Sequence, residues 1–339
     1  MPGETMAAEM AEQPTVLDRL LDRRQSTVRG LRRALPARPG GVVLVARGSS
    51  DNAAIYGRYL LGMATGRPVA LAAPSLVTLY GVAPEVDGWL AVAVSQSGRT
   101  PEIVDVARRM AAGGAHVVAV TNDDLSPLAT VSHSVVHLDA GRERAVPATK
   151  TFTAQLLCMA LIADAVGGVP WDSDDWDRVP HAVADVLDDA IAVDRAAAWV
   201  DDAPGLLVTG RGLLLATALE AALKLKECAG LLAQGYSTAD LRHGPIAIVE
   251  RDLPVIVLSS RGATASDAAD LVDELRDRGA RLIEIGQRET ADVGVPPVAE
   301  GLAPVVSAVR GQQLALAAAR RRGLDPDTPE GLSKITRTR

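Results

Sequence analysis

Aromatic residues are almost missing from this sequence: they make up only 3% of its 339 residues, although 48% are hydrophobic. The apolar content is mainly Ala, Val and Leu, which favours close-packed helices on parallel strands over a β-sandwich. Cysteine is equally scarce. Cys158 and Cys228 both lie in apolar helical stretches, so we expect two buried thiols and neither a disulfide nor a catalytic thiol. The length allows two domains.

Long hydrophobic runs and excess positive charge are missing as well. No stretch reaches the roughly 20 apolar residues that span a bilayer, and the acidic residues 1–14 lack the apolar core of a signal peptide. The net charge of −7 argues against a nucleic-acid or anionic-membrane surface. We therefore expect a cytoplasmic protein that binds neither nucleic acid nor membrane. A small anionic substrate stays possible, because local amides and hydroxyls can hold a phosphate on an acidic protein.

The chain contains an internal repeat. Residues 42–48 align with residues 206–212, and residues 90–100 align with residues 254–264, both at a shift of 164 positions. Residues 116–121 match residues 281–286 one position further out of step. Three strands in the same order and spacing predict a duplicated domain. Each half alternates β-branched runs with helical patterns, which predicts an α/β fold in which helices cover both faces of an open parallel sheet.

The boundaries of these elements can be predicted coarsely. In the first half we expect strands near residues 42–46, 68–72, 90–95, 116–121 and 134–138, with helices at 52–63, 101–112 and 149–165. A polar, Asp-rich linker over residues 171–180 then leads to one helix around 182–200. The predicted domains are residues 15–170 and 180–324, followed by a basic tail at 325–339.

The first candidate site is the segment Ser95-Gln96-Ser97-Gly98-Arg99-Thr100, between an apolar strand and a helix. Amides at a helix N-terminus favour an anion, three hydroxyls add donors, and Gly98 lets the backbone approach a ligand. Without a Walker-type lysine, the segment suits a monoester phosphate rather than a nucleotide. Simple N-capping is the alternative. A similar turn at residues 47–51 should converge with it at the switch point of the sheet, whereas the equivalent turn at 259–264 is weaker and can simply cap its helix.

The second candidate site lies on the helix at residues 219–227. Glu220, Lys224 and Glu227 are spaced i, i+4 and i+7, so they share one helix face. The surrounding residues are apolar, which predicts buried charges that must be paired and are costly enough to indicate a function. A solvated salt-bridge ladder is the alternative. His243 lies in a turn-rich loop and can be catalytic or structural, whereas His133 and His137 have no metal-ligating neighbour.

Together these segments resemble the sugar isomerase (SIS) family, in particular the isomerase half of glucosamine-6-phosphate synthase and the stand-alone amino-sugar isomerases and deaminases. The resemblance extends from about residue 15 to the end and is carried by residues 48–50, 95–100, 140–143, 148–150, 218–227, 241–245 and 332–334. It implies two tandem SIS domains, each a flavodoxin-like parallel sheet with helices on both faces, and it implies neither a metal nor a cofactor.

The resemblance also implies a role for each matching residue. Binding of the sugar phosphate is expected from Ser49, Ser50, Ser95, Gln96, Ser97, Thr100, Glu143, Val146 and Lys334. Glu227 is expected to move a proton between C1 and C2, His243 to open the sugar ring, and Lys224 to lie beside the sugar oxygens, oriented by Glu220. Lys334 is expected to close over the substrate. Because the histidine of the family comes from the neighbouring subunit, we expect a homodimer with shared active sites.

The implied function is that of a glucosamine-6-phosphate isomerase/deaminase, which abstracts the C2 proton of an open-chain hexose 6-phosphate. No catalytic Cys lies near residue 1, so glutamine-driven amination is not expected. Arg99 and Pro147 depart from the family pattern and leave the exact substrate open. Two alternatives remain: a dehydratase or lyase acting on N-acetylglucosamine 6-phosphate with loss of the 3-hydroxyl, and a non-catalytic sugar-phosphate sensor.

Overall fold

The computed structural model describes residues 1–249 and 253–334, which contain two parallel sheets of five strands each. The strands are β1 Val42–Val45, β2 Val69–Leu71, β3 Leu90–Val94, β4 His116–Thr121, β5 Ser134–His137, β6 Leu206–Gly210, β7 Ala233–Ser237, β8 Pro254–Ser259, β9 Arg281–Gly286 and β10 Val293–Gly294. The α-helices are α1 Glu4–Ala11, α2 Gln13–Asp22, α3 Arg24–Ala34, α4 Ser49–Thr65, α5 Pro74–Thr78, α6 Pro101–Ala112, α7 Pro127–Val131, α8 Lys150–Val166, α9 Ser173–Asp188, α10 Ile191–Val200, α11 Leu214–Ala229, α12 Thr238–Arg242, α13 Ala265–Asp277 and α14 Ala303–Arg321. The predicted α/β class with two parallel sheets is confirmed.

The chain divides into two compact units, which we name by the sheet each contains. The first-sheet unit consists of Val16–Arg142 and Ala154–Pro170. The second-sheet unit consists of Met1–Thr15, Glu143–Thr153 and the described residues of Trp171–Lys334. The predicted sequential boundaries of the two domains stay a prediction, and the last five residues of the predicted tail lie outside the described residues.

The first sheet has the strand order β2-β1-β3-β4-β5, and all its strands run parallel. Side chains alternate between its two faces. Val43 and Val45 point to the face that packs on Ile103 of α6. On the other face, α4 and α8 approach closely at Gly57, where an added Cβ would lie 2.7 Å from Met159 Sδ. Helices therefore cover both faces, as the near-continuous apolar strands require.

The second sheet has the order β7-β6-β8-β9-β10, which is the order of the first sheet under the sequence repeat. Its strands are also parallel, with Leu207 opposite Val255 in the β6–β8 pair. The repeat extends to backbone detail, because Gly48 after β1 and Gly212 after β6 adopt φ angles of 59° and 58°. The two halves are thus copies of one topology.

The prediction of a polar linker at residues 171–180 is wrong, because α9 begins at Ser173. Asp172 and Asp175 form a reciprocal capping box, in which the Asp172 carboxylate accepts from the Asp175 amide at 3.0 Å. Trp176 is buried on the inner face of α9. The Asp-rich composition therefore marks a helix start. The single helix expected around residues 182–200 is also two helices, and Arg310 of α14 donates to Asp189 at the break between them.

The two thiols are free and buried, as expected. Burial raises the pKa of each thiol to about 12, so both stay protonated at neutral pH. Within the described part of the chain, none of the helices combines the length and the apolar character needed to cross a bilayer.

Candidate active site

The turn between β3 and α6 brings four predicted phosphate-binding residues together: Ser95, Gln96, Ser97 and Thr100. Gly98 adopts φ 59°, and its amide donates to the Ser95 carbonyl at 3.1 Å. Gly98, predicted to let the backbone approach a ligand, also has a packing role. A Cβ on Gly98 would lie 2.1 Å from the Ser126 hydroxyl oxygen, so glycine is required by the packing of the turn itself.

The hydroxyls of this turn are not used to cap α6. Thr100 occupies the N-cap position, yet its side chain makes no capping hydrogen bond. Ser97 accepts from the Arg99 amide at 3.2 Å, which keeps its hydroxyl within the turn. The capping alternative therefore fails for Thr100, and the arrangement remains suited to an anion at the N-terminus of α6.

The turn between β1 and α4 lies beside the first one, because β1 and β3 are neighbours in the sheet. Ser49 opens α4, and the Ser50 hydroxyl accepts from Gln155 Nε2 at 2.9 Å. Asp51 follows in the first turn of α4. Burial raises the pKa of its carboxyl, and the charge of Arg47 partly offsets that rise.

Two charged residues that sequence analysis did not single out join these turns. Arg47 donates from Nε to Glu102 Oε2 at 3.0 Å and from Nη2 to Glu102 Oε1 at 3.1 Å. Arg47 precedes Gly48, and Glu102 lies in the first turn of α6. Their 55-residue separation leaves no local spacing pattern, so only the pairing of β1 with β3 brings them into contact.

In the second-sheet unit, α11 carries the predicted catalytic group. Lys224 lies between two carboxylates: its Nζ is 3.4 Å from Glu220 Oε1 and bonds directly to Glu227 Oε2. The side chains of Glu220 and Lys224 are only 2% and 1% exposed, whereas that of Glu227 is 22% exposed. These values exclude a solvated salt-bridge ladder. Lys226, which was expected to point elsewhere, is exposed.

Lys224 is held in its charged form by this arrangement. Burial alone would lower the pKa of its ammonium group, but the carboxylates of Glu220 and Glu227 raise that pKa well above its ordinary value. The cation is therefore permanent near neutral pH. Of the two carboxylates, Glu227 is the one a substrate can reach, since Glu220 is fully enclosed.

Glu143 and Lys334 form a second buried ion pair in the same unit. The Glu143 carboxylate accepts from the Thr149 amide at 2.9 Å, the Thr151 hydroxyl at 2.7 Å and Lys334 Nζ at 2.6 Å. Lys334 also donates to the Ala145 carbonyl at 2.8 Å. Burial would raise the pKa of the Glu143 carboxyl, but Lys334 and the threonine donors hold it below its ordinary value. Both predicted substrate residues are thus bonded to each other.

The tail segment before Lys334 is held by the start of the chain. Val146, a predicted substrate residue, donates its amide to the Asp327 carbonyl at 3.2 Å. The Asp327 carboxylate accepts from the amides of Thr5 and Met6 at 2.9 and 2.7 Å. Met6 Sδ in turn lies 3.9 Å from Cys228 Sγ, next to Glu227. Asp327 gives no signal in the sequence, because a carboxylate that caps a distant helix has no recognisable motif.

His243 directly follows α12, and its ring is exposed. The preceding residue anchors the loop: Arg242 donates to Asp267 at 2.9 Å and to Glu274 at 3.0 Å, both on α13. The predicted residues therefore fall into two sets, the serine-rich turns in the first-sheet unit and the α11, Glu143 and His243 residues in the second-sheet unit. Among the described residues, no three His, Cys, Asp or Glu side chains are grouped to hold a metal.

Comparison with known proteins places these features in a family. The family model described as SIS domain matches residues 37–165 and 201–293. A glutamine–fructose-6-phosphate aminotransferase [isomerizing] of Methanothermobacter thermautotrophicus is 34% identical over 302 residues, which cover 86% of this chain and 51% of that protein. The chain spans about half the length of the curated relatives it matches.

Solved structures show the same architecture over the whole chain. A candidate phosphosugar isomerase from Silicibacter pomeroyi DSS-3 has 33% identity and a TM-score of 0.87, and the match covers 96% of this chain and 100% of the other. A glucosamine-6-phosphate deaminase from Thermotoga maritima has 22% identity and a TM-score of 0.77, covering 95% of this chain and 100% of that one. At the latter identity the likeness shows the fold alone.

Proposed function

The chain belongs to the SIS domain family, and on that premise we propose that it is an amino-sugar 6-phosphate isomerase/deaminase that abstracts the C2 proton of an open-chain hexose 6-phosphate. The observation that carries the proposal is the buried Lys224 held between Glu220 and a partly exposed Glu227. The names of the 33–34% identical relatives, a phosphosugar isomerase and isomerizing aminotransferases, support this chemistry.

Glu227 has the surroundings of a general base for carbon acids. Its carboxylate is partly exposed on a largely buried helix, and Lys224 holds it in one position. We assign to Glu227 the transfer of a proton between C2 and C1. The fixed positive charge of Lys224 stabilises the enolate oxygen that develops as the proton leaves, and Glu220 keeps Lys224 charged and oriented.

The phosphate is assigned to the serine-rich turns of the first-sheet unit. Thr100 and Ser97 lie at the N-terminus of α6 with hydroxyls that cap no amide of the helix core, and Ser95 is 6% exposed. Holding the phosphate end of a flexible open-chain sugar limits the orientations of C1 and C2, which lowers the entropic part of the barrier. The phosphate contributes binding and orientation, and the proton transfer belongs to α11.

The base assignment is tested with Glu227→Gln, which is nearly isosteric. We expect deuterium exchange at C2 of glucosamine 6-phosphate, followed by NMR in heavy water, to fall about 10²–10⁴-fold while phosphate-dependent binding is retained. Lys226→Gln is the matched control, because it changes a charged residue on the exposed side of the same helix. Exchange near the native rate, with only a lower melting temperature, would show that Glu227 merely balances the charge of Lys224.

The same assay separates the competing functions by their products. Glucosamine 6-phosphate converted with release of ammonia supports the deaminase. Exchange and loss of the 3-hydroxyl only with the N-acetylated sugar phosphate would instead identify a dehydratase or lyase. Tight binding without exchange on either sugar would identify a sensor. A cytoplasmic location stays a prediction.

We further propose a homodimer in which His243 serves the partner's site. The support is that His243 is exposed directly after α12, whose last residue, Arg242, is bonded to α13. Mixing Glu227→Gln protein with His243→Ala protein should restore part of the activity, since a hybrid dimer has one site with both native groups. Proven subunit exchange without any rescue would place His243 in the site of its own chain.

A further inference from the structure

We propose that Arg47 and Glu102 are positioning residues of the phosphate site: their ion pair sets the spacing of the two serine-rich turns and prevents a buried carboxylate from repelling the phosphate. The inference rests on the proposed function, because it takes the β3–α6 turn as the phosphate site. Neither residue belongs to the set expected from the family resemblance. Both act through other groups and need not touch the sugar.

The geometry of the pair is that of a rigid brace. The two nearly parallel bonds of 3.0 and 3.1 Å fix the planes of the guanidinium and carboxylate groups relative to each other. Arg47 is the second residue after β1, and Glu102 is the second residue of α6. Because Val45 of β1 lies opposite Ala93 of β3, the brace spans adjacent strand ends and fixes the distance between the turns that follow them.

The electrostatics of α6 explain why the carboxylate needs a partner. The N-terminus of a helix favours negative charge, but Glu102 already places one carboxylate in the first turn, with only 5% of its side chain exposed. A phosphate bound to the turn at Ser95–Thr100 would be a second negative group beside it. The Arg47 guanidinium neutralises the Glu102 carboxylate. The helix N-terminus and the amides of the turn can then attract the phosphate without repulsion from Glu102.

The second half of the chain contains a weakened copy of this pair. Arg211 aligns with Arg47 in the repeat, and its Nε lies 3.7 Å from Asp267 Oδ2 in the first turn of α13. The Asp267 carboxylate instead accepts hydrogen bonds from Arg242 at 2.9 Å and from the Thr238 hydroxyl. The half with the serine-rich turns therefore has an arginine–carboxylate pair with two hydrogen bonds, and the other half has only a longer arginine–carboxylate contact at the corresponding place.

The test is calorimetric titration with glucosamine 6-phosphate and with unphosphorylated glucosamine. Arg47→Gln should weaken binding of the phosphorylated sugar about 10- to 100-fold, because it removes the positive charge and the two-bond contact beside the buried Glu102 carboxylate. The Arg47→Gln/Glu102→Gln double variant should recover the part of that loss that comes from repulsion by the carboxylate, whereas the part that comes from the lost spacing of the turns should remain. Arg109→Gln is the matched control: Arg109 pairs with Asp105 at 3.2 Å near the other end of α6 and is similarly exposed.

Three results would overturn the inference. The first is native affinity in Arg47→Gln. The second is an equal loss in Arg109→Gln, and the third is a double variant no tighter than Arg47→Gln. If Arg47→Gln does not fold, Glu102→Gln decides alone, since removing the buried charge should keep or strengthen phosphate binding and a clear loss would contradict the neutralising role. Failure of the proposed function is recognised separately, because the native protein would then show no exchange at C2, whereas equal binding of both sugars by the native protein would show that the turn is not a phosphate site.

Discussion

The turn after β1 and the turn after β6 share a left-handed glycine and differ in side-chain chemistry. Gly48 and Gly212 adopt φ angles of 59° and 58°, and α4 and α11 begin one and two residues later. The next three residues are Ser49, Ser50 and Asp51 in the first half and three leucines, residues 213–215, in the second. One turn is therefore polar and the other apolar, although each contains a glycine at the same φ angle.

The turns after β3 and β8 differ in a more instructive way. In the second half, the Glu300 carboxylate accepts from the amides of Ala263 and Thr264 at 2.8 and 3.2 Å and from the Thr264 hydroxyl at 3.0 Å. Gly262 permits this approach, because a Cβ there would lie 2.3 Å from Glu300 Oε2. In the first half, no carboxylate of the described chain bonds the amides or hydroxyls of Ser95–Thr100.

The difference indicates that the two copies of the turn satisfy their donors in different ways. Each β–α turn offers amides and hydroxyls at a helix N-terminus, and such groups must be satisfied by an anion, by water or by the protein. The second half supplies its own anion, Glu300, and thereby stabilises its fold. In the first half the Arg99 amide, which corresponds to that of Ala263, donates to Ser97 Oγ at 3.2 Å, and we propose that the remaining donors of the turn bind the phosphate. The turn at 259–264 is predicted to cap its own helix. In the structure the Glu300 carboxylate accepts the hydrogen bonds from the amides of this turn instead.

The largest expected difference between the two turns comes from paired serine substitutions. Ser95→Ala with Ser97→Ala removes two donors worth about 1–3 kcal/mol each, so affinity for a sugar 6-phosphate should fall about 30-fold or more. Two serines of the turn after β8 provide the comparison: Ser259→Ala with Ser260→Ala should lower the melting temperature but leave affinity unchanged. The test is calorimetric titration and thermal melting of both double variants. Equal loss of affinity in both would mean that the two turns are not specialised.

A smaller effect is expected when the internal anion is removed. Glu300→Ala leaves three donors without their charged acceptor, which should lower the free energy of unfolding by about 2–3 kcal/mol. Added inorganic phosphate or sulfate should restore part of the lost melting temperature by occupying the vacated position. Glu289→Ala, which changes an exposed glutamate, is the control and should show neither the loss nor the rescue. A loss that no anion relieves would mean that Glu300 acts through packing alone.

The smallest effect concerns Asp51, where the second half has Leu215. Burial raises the pKa of the Asp51 carboxyl in the folded state, and Arg47 only partly offsets this. Its contribution to stability is therefore complete below the unfolded pKa of about 3.9 and is lost as the pH rises through the higher folded pKa. Asp51→Asn should match the native protein near pH 3 and gain a degree or two in melting temperature at pH 7. A gain that is independent of pH would exclude ionisation as the cause.

Much of the fold follows from local patterns in the sequence. The apolar runs repeated at a shift of 164 positions predict the duplicated strands, and the i, i+4, i+7 spacing of Glu220, Lys224 and Glu227 predicts their shared face. These patterns work because strand and helix periodicity are properties of consecutive residues. The linker at residues 171–180 was predicted wrongly for the same reason, since a dense group of aspartates has the composition of a loop whether or not it caps a helix.

The partners of the charged residues were decided only by the tertiary structure. Arg47 and Glu102 are 55 residues apart, Glu300 and Thr264 are 36, and Glu143 and Lys334 are 191. Helix and strand periodicity do not extend over such distances, and each pair depends on which segments the fold brings together. The sequence by itself determined that two α/β halves form and which turns are rich in donors. Which of those turns received an internal carboxylate was decided by long-range packing, because an ion pair in a folded chain is selected by spatial proximity and not by spacing along the chain.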